Sequence, residues 1–326
     1  MKKLVLTHRL HEAGMQLLEG KVDVTITNTG KPQEMLPELV DADALIIRIG
    51  SIDRETMLAA KNLKVIGRPG VGVDDVDVAA ATELGIPVVI APGANTRSVA
   101  EHAFAFMFAA AKDMLHSDFE TRSGNFAVRN TYKAIELFGK TLGLVGYGNI
   151  GRELAKLSAA IGMKVIVYDP FVKPESIEQQ GYQYEKNLDQ VLKSADVISL
   201  HVPLTDKTRN LIGKRELDLM KSSAIVINCA RGGIIDEQAL ADALRDNKLH
   251  SAATDVFAKE PVDETHPLLK YKNMIVTPHM AGLTQEAASG VATMAAAGVL
   301  AVLNGEKWEK VANPRVYEHP RWQNGK

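Results

Sequence analysis

The sequence predicts a two-domain α/β protein in which helices cover the faces of two parallel sheets. Three observations carry this prediction. The 326 residues exceed the ~250–300 at which one hydrophobic core stops growing. Short β-branched runs alternate with helix-period segments from the start of the chain, the pattern of parallel strands joined by helical crossovers. A glycine-rich turn sits between a strand-like and a helix-like segment near the middle.

In the first domain, taken as residues 1–98, strands are expected over 4–7, 22–27, 44–47, 64–66 and 88–90. Helix-period patterns lie between them, as over 11–18 and 77–84, and Gly20 and Gly85 stand where helix C-caps fall. A long apolar helix is predicted over 98–118, opened by Ser98 and Glu101 at capping-box spacing and suited to joining two domains. Its stretch 103–111 reads as the most apolar long run and falls short of the ~20 residues of a bilayer span, so it is expected to be buried. Residues 123–140 lack periodicity and read as an arm or loop.

The second domain, 99–284, is predicted to hold six strands, over 141–145, 164–168, 197–200, 224–228, 251–256 and 274–277. Six is the number in a full dinucleotide-binding sheet. The last segment, 285–326, contains an alanine-rich helix to about residue 304 and a tail with Asn313-Pro314-Arg315, expected to pack back on the first domain.

Composition narrows the partners. An apolar share of 46%, a charged share of 24% and a net charge of −2 offer no electrostatic case for nucleic acid or an anionic membrane. A small molecule or another protein is expected instead, and no metal site is anticipated. Cys229 is the single cysteine and cannot form an intramolecular disulfide, while Met1-Lys2-Lys3-Leu4 leads straight into a strand-like segment rather than a signal-like apolar stretch. A cytoplasmic setting is the expectation.

Gly146-Tyr147-Gly148-Asn149-Ile150-Gly151 follows an apolar strand and opens a helix. In that placement the missing side chains let the backbone approach a pyrophosphate, and the helix N-terminus offers free N–H groups. Asp169, eighteen residues beyond Gly151, ends the next strand, where a carboxylate can accept the ribose hydroxyls of adenosine. Like charge there would repel a 2′-phosphate, so NAD is favoured over NADP. The plainer alternative is that Asp169-Pro170 makes a strand-end turn.

Reduction of a 2-keto acid places negative charge on the carbonyl oxygen, so the site needs an acid for that oxygen and a cation for the neighbouring carboxylate. Arg231, in Asn228-Cys229-Ala230-Arg231-Gly232-Gly233, follows an apolar strand and can grip a carboxylate with two hydrogen bonds; the glycines after it suggest close ligand approach. His279 follows the last strand, and Glu260 follows the strand bearing Asp255. A carboxylate on the far imidazole nitrogen would fix the tautomer and raise the pKa. His201, ending the strand over 197–200, is the rival histidine and could instead hydrogen-bond cofactor or substrate.

At these residues the sequence resembles the D-2-hydroxyacid dehydrogenase family. The likeness runs through Asn95-Thr96 with Ala100-Glu101-His102, Gly139 to Gly143 leading into the glycine motif, Ala230-Arg231-Gly232, Asp255-Val256-Phe257 with Glu260-Pro261, and Thr277-Pro278-His279. It implies a flavodoxin-like substrate domain and a Rossmann doubly wound NAD-binding domain. It also implies that Arg231 binds and polarises the substrate, His279 is the acid/base and Glu260 supports it. Cofactor contacts are then expected at Gly146, Gly148, Asn149, Ile150, Gly151, Asp169, His201, Val202, Pro203, Cys229, Ala230, Asp255 and Gly282. A homodimer joined through the nucleotide-binding domain and the arm over 123–140 is a further implication.

Within the family, Ile46-Ile47-Arg48 and Ile66 to Asp74 look most like the phosphoglycerate dehydrogenase branch, which makes Arg48 and Arg68 candidates for a substrate phosphate. Val71, Gly72 and Asn95 join them as expected substrate contacts. Val71 stands where that branch often has threonine, and no C-terminal regulatory domain of the kind some members carry is expected, so hydroxypyruvate, glyoxylate and sulfolactate-type acids stay open as substrates. Formate dehydrogenases share the fold but call for glutamine at Glu260. The rival from another class is an NAD(H)-sensing binding protein of the corepressor type.

Overall fold

The computed structural model describes residues 1–131 and 133–323. The chain forms two compact units, Met1–Asn95 together with the chain from Leu283 onward, and Thr96–Gly282. Tyr132, inside the expected arm, and residues 324–326 of the tail lie outside the described residues.

In the first unit the order is β1 (Lys2–Leu6), α1 (Glu12–Leu18), β2 (Val22–Ile26), α2 (Pro32–Leu39), β3 (Ala44–Ile46), α3 (Arg54–Ala59), β4 (Val65–Gly67), α4 (Val78–Glu83) and β5 (Val88–Val89). The strands pair in parallel in the order β2-β1-β3-β4-β5, the flavodoxin-like arrangement. Helices cover both faces, so the strands are apolar on both sides, as with Leu4-Val5-Leu6 and Ala44-Leu45-Ile46. Asp53 and Asp77 cap α3 and α4 by accepting the N–H of Thr56 and Ala80. Gly20 and Gly85, both at φ +70, turn the chain out of α1 and α4.

The second unit runs α5 (Thr96–Ala111), α6 (Met114–Arg122), a 3-10 turn (Phe126–Thr131), β6 (Thr141–Val145), α7 (Asn149–Ala160), β7 (Lys164–Tyr168), α8 (Pro174–Glu178), β8 (Gln183–Tyr184), α9 (Leu188–Ser194), β9 (Val197–Leu200), α10 (Lys214–Leu219), β10 (Ile225–Asn228), α11 (Glu237–Arg245), β11 (Ser251–Thr254) and β12 (Met274–Val276). All seven strands are parallel, in the order β12-β11-β10-β9-β6-β7-β8. Counted within the unit this is 3-2-1-4-5-6-7, the doubly wound dinucleotide-binding order with one strand added. Six were expected; β8 spans two residues, too few to show an alternation.

The helix predicted over 98–118 differs in two respects. It breaks at Asp113, whose φ of +50 is left-handed, so α5 and α6 are separate helices. It also begins before Ser98, which is buried and donates to the Ala281 carbonyl, while Glu101 accepts from Arg97 Nε. No capping box forms there.

The chain returns to the first unit with α12 (Gln285–Leu303), capped by Thr284, and ends at α13 (Pro320–Gln323). By length and composition α12 is, among the described residues, a helix long and apolar enough to cross a membrane, a longer apolar segment than 103–111. In the fold it is a core helix, with Ala292, Ala296, Val299 and Val302 buried in the cluster formed by Leu4, Leu6, Leu18 and Val65. The tail is fastened by Asn313, whose Oδ1 accepts the Val88 N–H and whose Nδ2 donates to Thr82 Oγ1 and the Ile86 carbonyl.

Candidate active site

The glycine turn leaves the carboxyl end of β6, beside the point where the strand order reverses between β6 and β9. Each glycine does a different job. Gly146 has φ +101, and a Cβ on it would lie 2.5 Å from the His201 carbonyl oxygen. Gly151 packs the first turn of α7 so closely that a Cβ would lie 2.4 Å from the Gly146 carbonyl. Gly148, the N-cap of α7, has nothing within 4 Å of such a Cβ, and no side chain caps the helix. The N-terminal amides of α7, beginning at Asn149 and Ile150, thus border open space suited to a pyrophosphate.

Asp169 is buried beside this turn. Its Oδ2 accepts the Tyr147 N–H at 2.8 Å, and its Oδ1 accepts from Phe171 and Val172 at 2.8 and 3.2 Å. The strand-end turn is therefore real, yet a carboxylate has about four lone-pair sites, so capacity for a ribose hydroxyl is left. His201 follows β9 with Nε2 2.9 Å from Ser199 Oγ, and burial pushes its pKa down to about 4. It is neutral at neutral pH and a poor proton donor to substrate. Val202 and Pro203 continue the same strand end, and Cys229 is buried at the end of β10, where burial and the nearby Asp255 charge push its thiol pKa up.

Arg231 stands in the loop after β10. Asn228 shapes that loop: its Oδ1 accepts the Ala230 N–H, and its Nδ2 donates to the Arg231 carbonyl at 2.8 Å. Arg231 Nη1 donates to the Ala230 carbonyl. The close approach at Gly232 is to protein backbone. A Cβ there would fall 1.9 Å from the Phe257 carbonyl carbon, so the Arg231 loop lies directly on the backbone leading to Glu260.

Glu260 and His279, nineteen residues apart, meet with Oε2 2.7 Å from Nδ1. The other carboxylate oxygen, Oε1, accepts the Phe257 N–H at 2.9 Å, which fixes the carboxylate's orientation. Burial alone would raise the Glu260 pKa. The hydrogen bonds from His279 and Phe257 and the charges of His279 and Arg231 outweigh it, so the group sits below its ordinary value. The His279 pKa is raised, chiefly by the hydrogen bond to Glu260, against burial and the Arg231 charge. All three predicted residues therefore lie within one electrostatic neighbourhood.

The loop bearing His279 is held by Asp255. Its Oδ1 takes the Thr277 hydroxyl at 2.5 Å and the Met280 N–H at 2.8 Å, and its Oδ2 takes the Ala281 N–H. This carboxylate, expected to touch the cofactor, is 1% exposed and committed to the loop. His279 itself has φ +52, a region costing a non-glycine residue ~1–3 kcal/mol, and its N–H is tied to the Asp255 carbonyl at 2.7 Å. Asn228 and Thr277 were absent from the expected site; only their adjacency to Arg231 and His279 marked them. Gly282 is the last residue of this unit.

In the first unit, Arg48 and Arg68 follow the neighbouring strands β3 and β4. Arg48 is exposed, with its N–H donated to Thr7 Oγ1. Arg68 is engaged: Nε and Nη2 form a two-pronged pair with Asp75 at 3.0 and 2.9 Å, and Nη1 donates to the Ile47 and Arg48 carbonyls. Arg68 thus braces the Arg48 loop. Val71 is exposed, while Gly72 and Asn95 are half-buried in this unit.

A seven-stranded sheet of this order with an open glycine turn defines a dinucleotide-binding domain. Residues 104–281 match the family described as D-isomer specific 2-hydroxyacid dehydrogenase, NAD binding domain. The chain belongs to that family, and its second unit is the NAD-binding domain. D-3-phosphoglycerate dehydrogenase of Methanocaldococcus jannaschii is 44% identical over 314 residues, covering 96% of this chain and 60% of that protein. The Archaeoglobus fulgidus protein of the same name is 43% identical, covering 94% and 58%. The chain thus spans about 60% of the length of these relatives. Among solved structures, a Thermus thermophilus protein superposes with TM-score 0.87 at 34% identity over 95% of this chain and 99% of that one. A glyoxylate reductase from Paecilomyes thermophila gives 0.85 at 30% identity over 95% and 98%.

Proposed function

We propose that this chain is an NAD-dependent 2-hydroxyacid dehydrogenase with Arg231, Glu260 and His279 as its catalytic set. The single observation carrying this reading is the 2.7 Å contact of His279 Nδ1 with Glu260 beside the Arg231 charge. With Nδ1 engaged by the carboxylate, Nε2 is the nitrogen left to exchange a proton with the substrate oxygen. The cofactor, when bound, supplies or accepts the hydride at C2. Arg231 holds the substrate carboxylate and stabilises charge on the adjacent oxygen, while Asp169 disfavours a 2′-phosphate and so favours NAD.

For the substrate we propose 3-phosphoglycerate and phosphohydroxypyruvate, supported by the names of the two archaeal relatives and by exposed Arg48 at a strand end. Glyoxylate or hydroxypyruvate reduction is the second reading, favoured by the glyoxylate reductase neighbour and by the engagement of Arg68 with Asp75. We further propose a cytoplasmic homodimer, supported by one buried cysteine and by exposed Met114, Leu115, Phe119 and Phe126 on α6 and the turn after it. The deciding experiment measures NADH oxidation with phosphohydroxypyruvate, hydroxypyruvate, glyoxylate and pyruvate. His279→Gln is expected to lower turnover by on the order of 10²–10⁴ with NADH affinity retained. Parent-like turnover in that variant refutes the assignment.

A further inference from the structure

The stretch containing Ser98 and Ala100-Glu101-His102 has no part in cofactor or substrate binding as described above. Ser98 and His102 lie four residues apart on α5, hence on one face of it, and both reach the loop 277–281. Ser98 Oγ donates to the Ala281 carbonyl at 2.5 Å. His102 Nε2 lies 3.0 Å from Thr277 Oγ1, with its ring edge-on to Phe106 at 4.5 Å between centroids.

The direction of the His102 contact follows from what Thr277 touches. Its hydroxyl lies 2.5 Å from Asp255 Oδ1, and an ionised carboxylate only accepts. The hydroxyl proton therefore points to Asp255, and the remaining lone pair accepts the His102 Nε2–H. His102 Nε2 is itself 3.9 Å from the same carboxylate oxygen. The loop is thus gripped by α5 at Thr277 and at Ala281, while His279 between them holds a left-handed backbone conformation.

We propose that Ser98 and His102 form a clamp that keeps the loop 277–281 in the conformation presenting His279 to Glu260. They are positioning residues and act through the Thr277–Asp255 contact and the Ala281 carbonyl. Their relevance to turnover rests on the reading of His279 as proton donor, whereas the clamp itself can be measured without turnover.

Amide hydrogen exchange in the parent, Ser98→Ala, His102→Leu and His102→Gln tests it directly. In the alanine and leucine variants the Met280 and Ala281 amides should exchange about tenfold faster, the effect of one lost hydrogen bond. The β10 amides should keep their rates, and the glutamine variant, which retains a donor, should restore most of the protection. Unchanged loop exchange, or equal acceleration in β10, overturns the clamp. In the kinetic arm, His102→Leu should lower keto-acid turnover about tenfold in the parent and less than about twofold in a His279→Gln background. Losses of equal size in both backgrounds overturn action through His279. A parent inactive on every keto acid would sink the functional reading, while the exchange experiment would still decide on the clamp.

Discussion

His279 carries a raised pKa because its Nδ1 faces the Glu260 carboxylate. Keto-acid reduction consumes the protonated form, so the rate should hold below the ordinary histidine value and fall only as pH rises through the higher folded value. Glu260→Gln removes the largest raising influence. The fall should then move to lower pH, read as the midpoint of kcat/KM against pH for NADH-dependent reduction; an unmoved midpoint would show that the pair does not set the titration. Arg48 and Arg68 should also separate. Arg48→Ala is expected to weaken a phosphorylated acid about tenfold or more while sparing glyoxylate, the loss of one charge-assisted contact. Arg68→Ala leaves Asp75 without its partner and frees the Arg48 loop, so both substrates should suffer together. Steady-state KM values for the two acids check the contrast.

Among the elements, the turn between β6 and α7 assigns different costs to its glycines. A Cβ at Gly151 would press into the Gly146 carbonyl, so Gly151→Val should lower stability by ~1–3 kcal/mol through overpacking. In Gly148→Val the added Cβ has no atom of a non-neighbouring residue within 4 Å. It should keep the parent Tm and still lose NADH affinity, because its side chain would occupy space the ligand backbone needs. Thermal melts beside NADH titrations distinguish the two; a Gly148 variant binding NADH like the parent would remove the turn from the cofactor site. The elements were legible to different degrees. The apolar runs of β6, β9 and β10 announce themselves because parallel strands are buried on both faces. The break between α5 and α6 did not, since Asp113 adopts its left-handed conformation with no glycine or proline to signal it.

For the molecule as a whole, α6 has no buried residue and displays Met114, Leu115 and Phe119 at 52–63% exposure. A stable protein interface buries roughly 1,600 Å², and an apolar row of this kind is where the proposed homodimer would gain most. Phe119→Glu is expected to convert the dimer to monomer, which sedimentation would read; a parent already monomeric at micromolar concentration would refute the dimer.

What the sequence determined by itself is what neighbouring residues encode. Strand and helix periods, the glycine turn after β6, and the candidate set Arg231, Glu260 and His279 were all readable along the chain. What only the tertiary structure decided is which groups meet. Asp75 occupies the Arg68 guanidinium, Asp255 turns to the His279 loop, Gly232 admits the Phe257 backbone, and Asn313 ties the tail to Val88. Such pairings depend on where loops bring distant backbone, and a side chain's charge or size shows what it can do without showing which partner reaches it first.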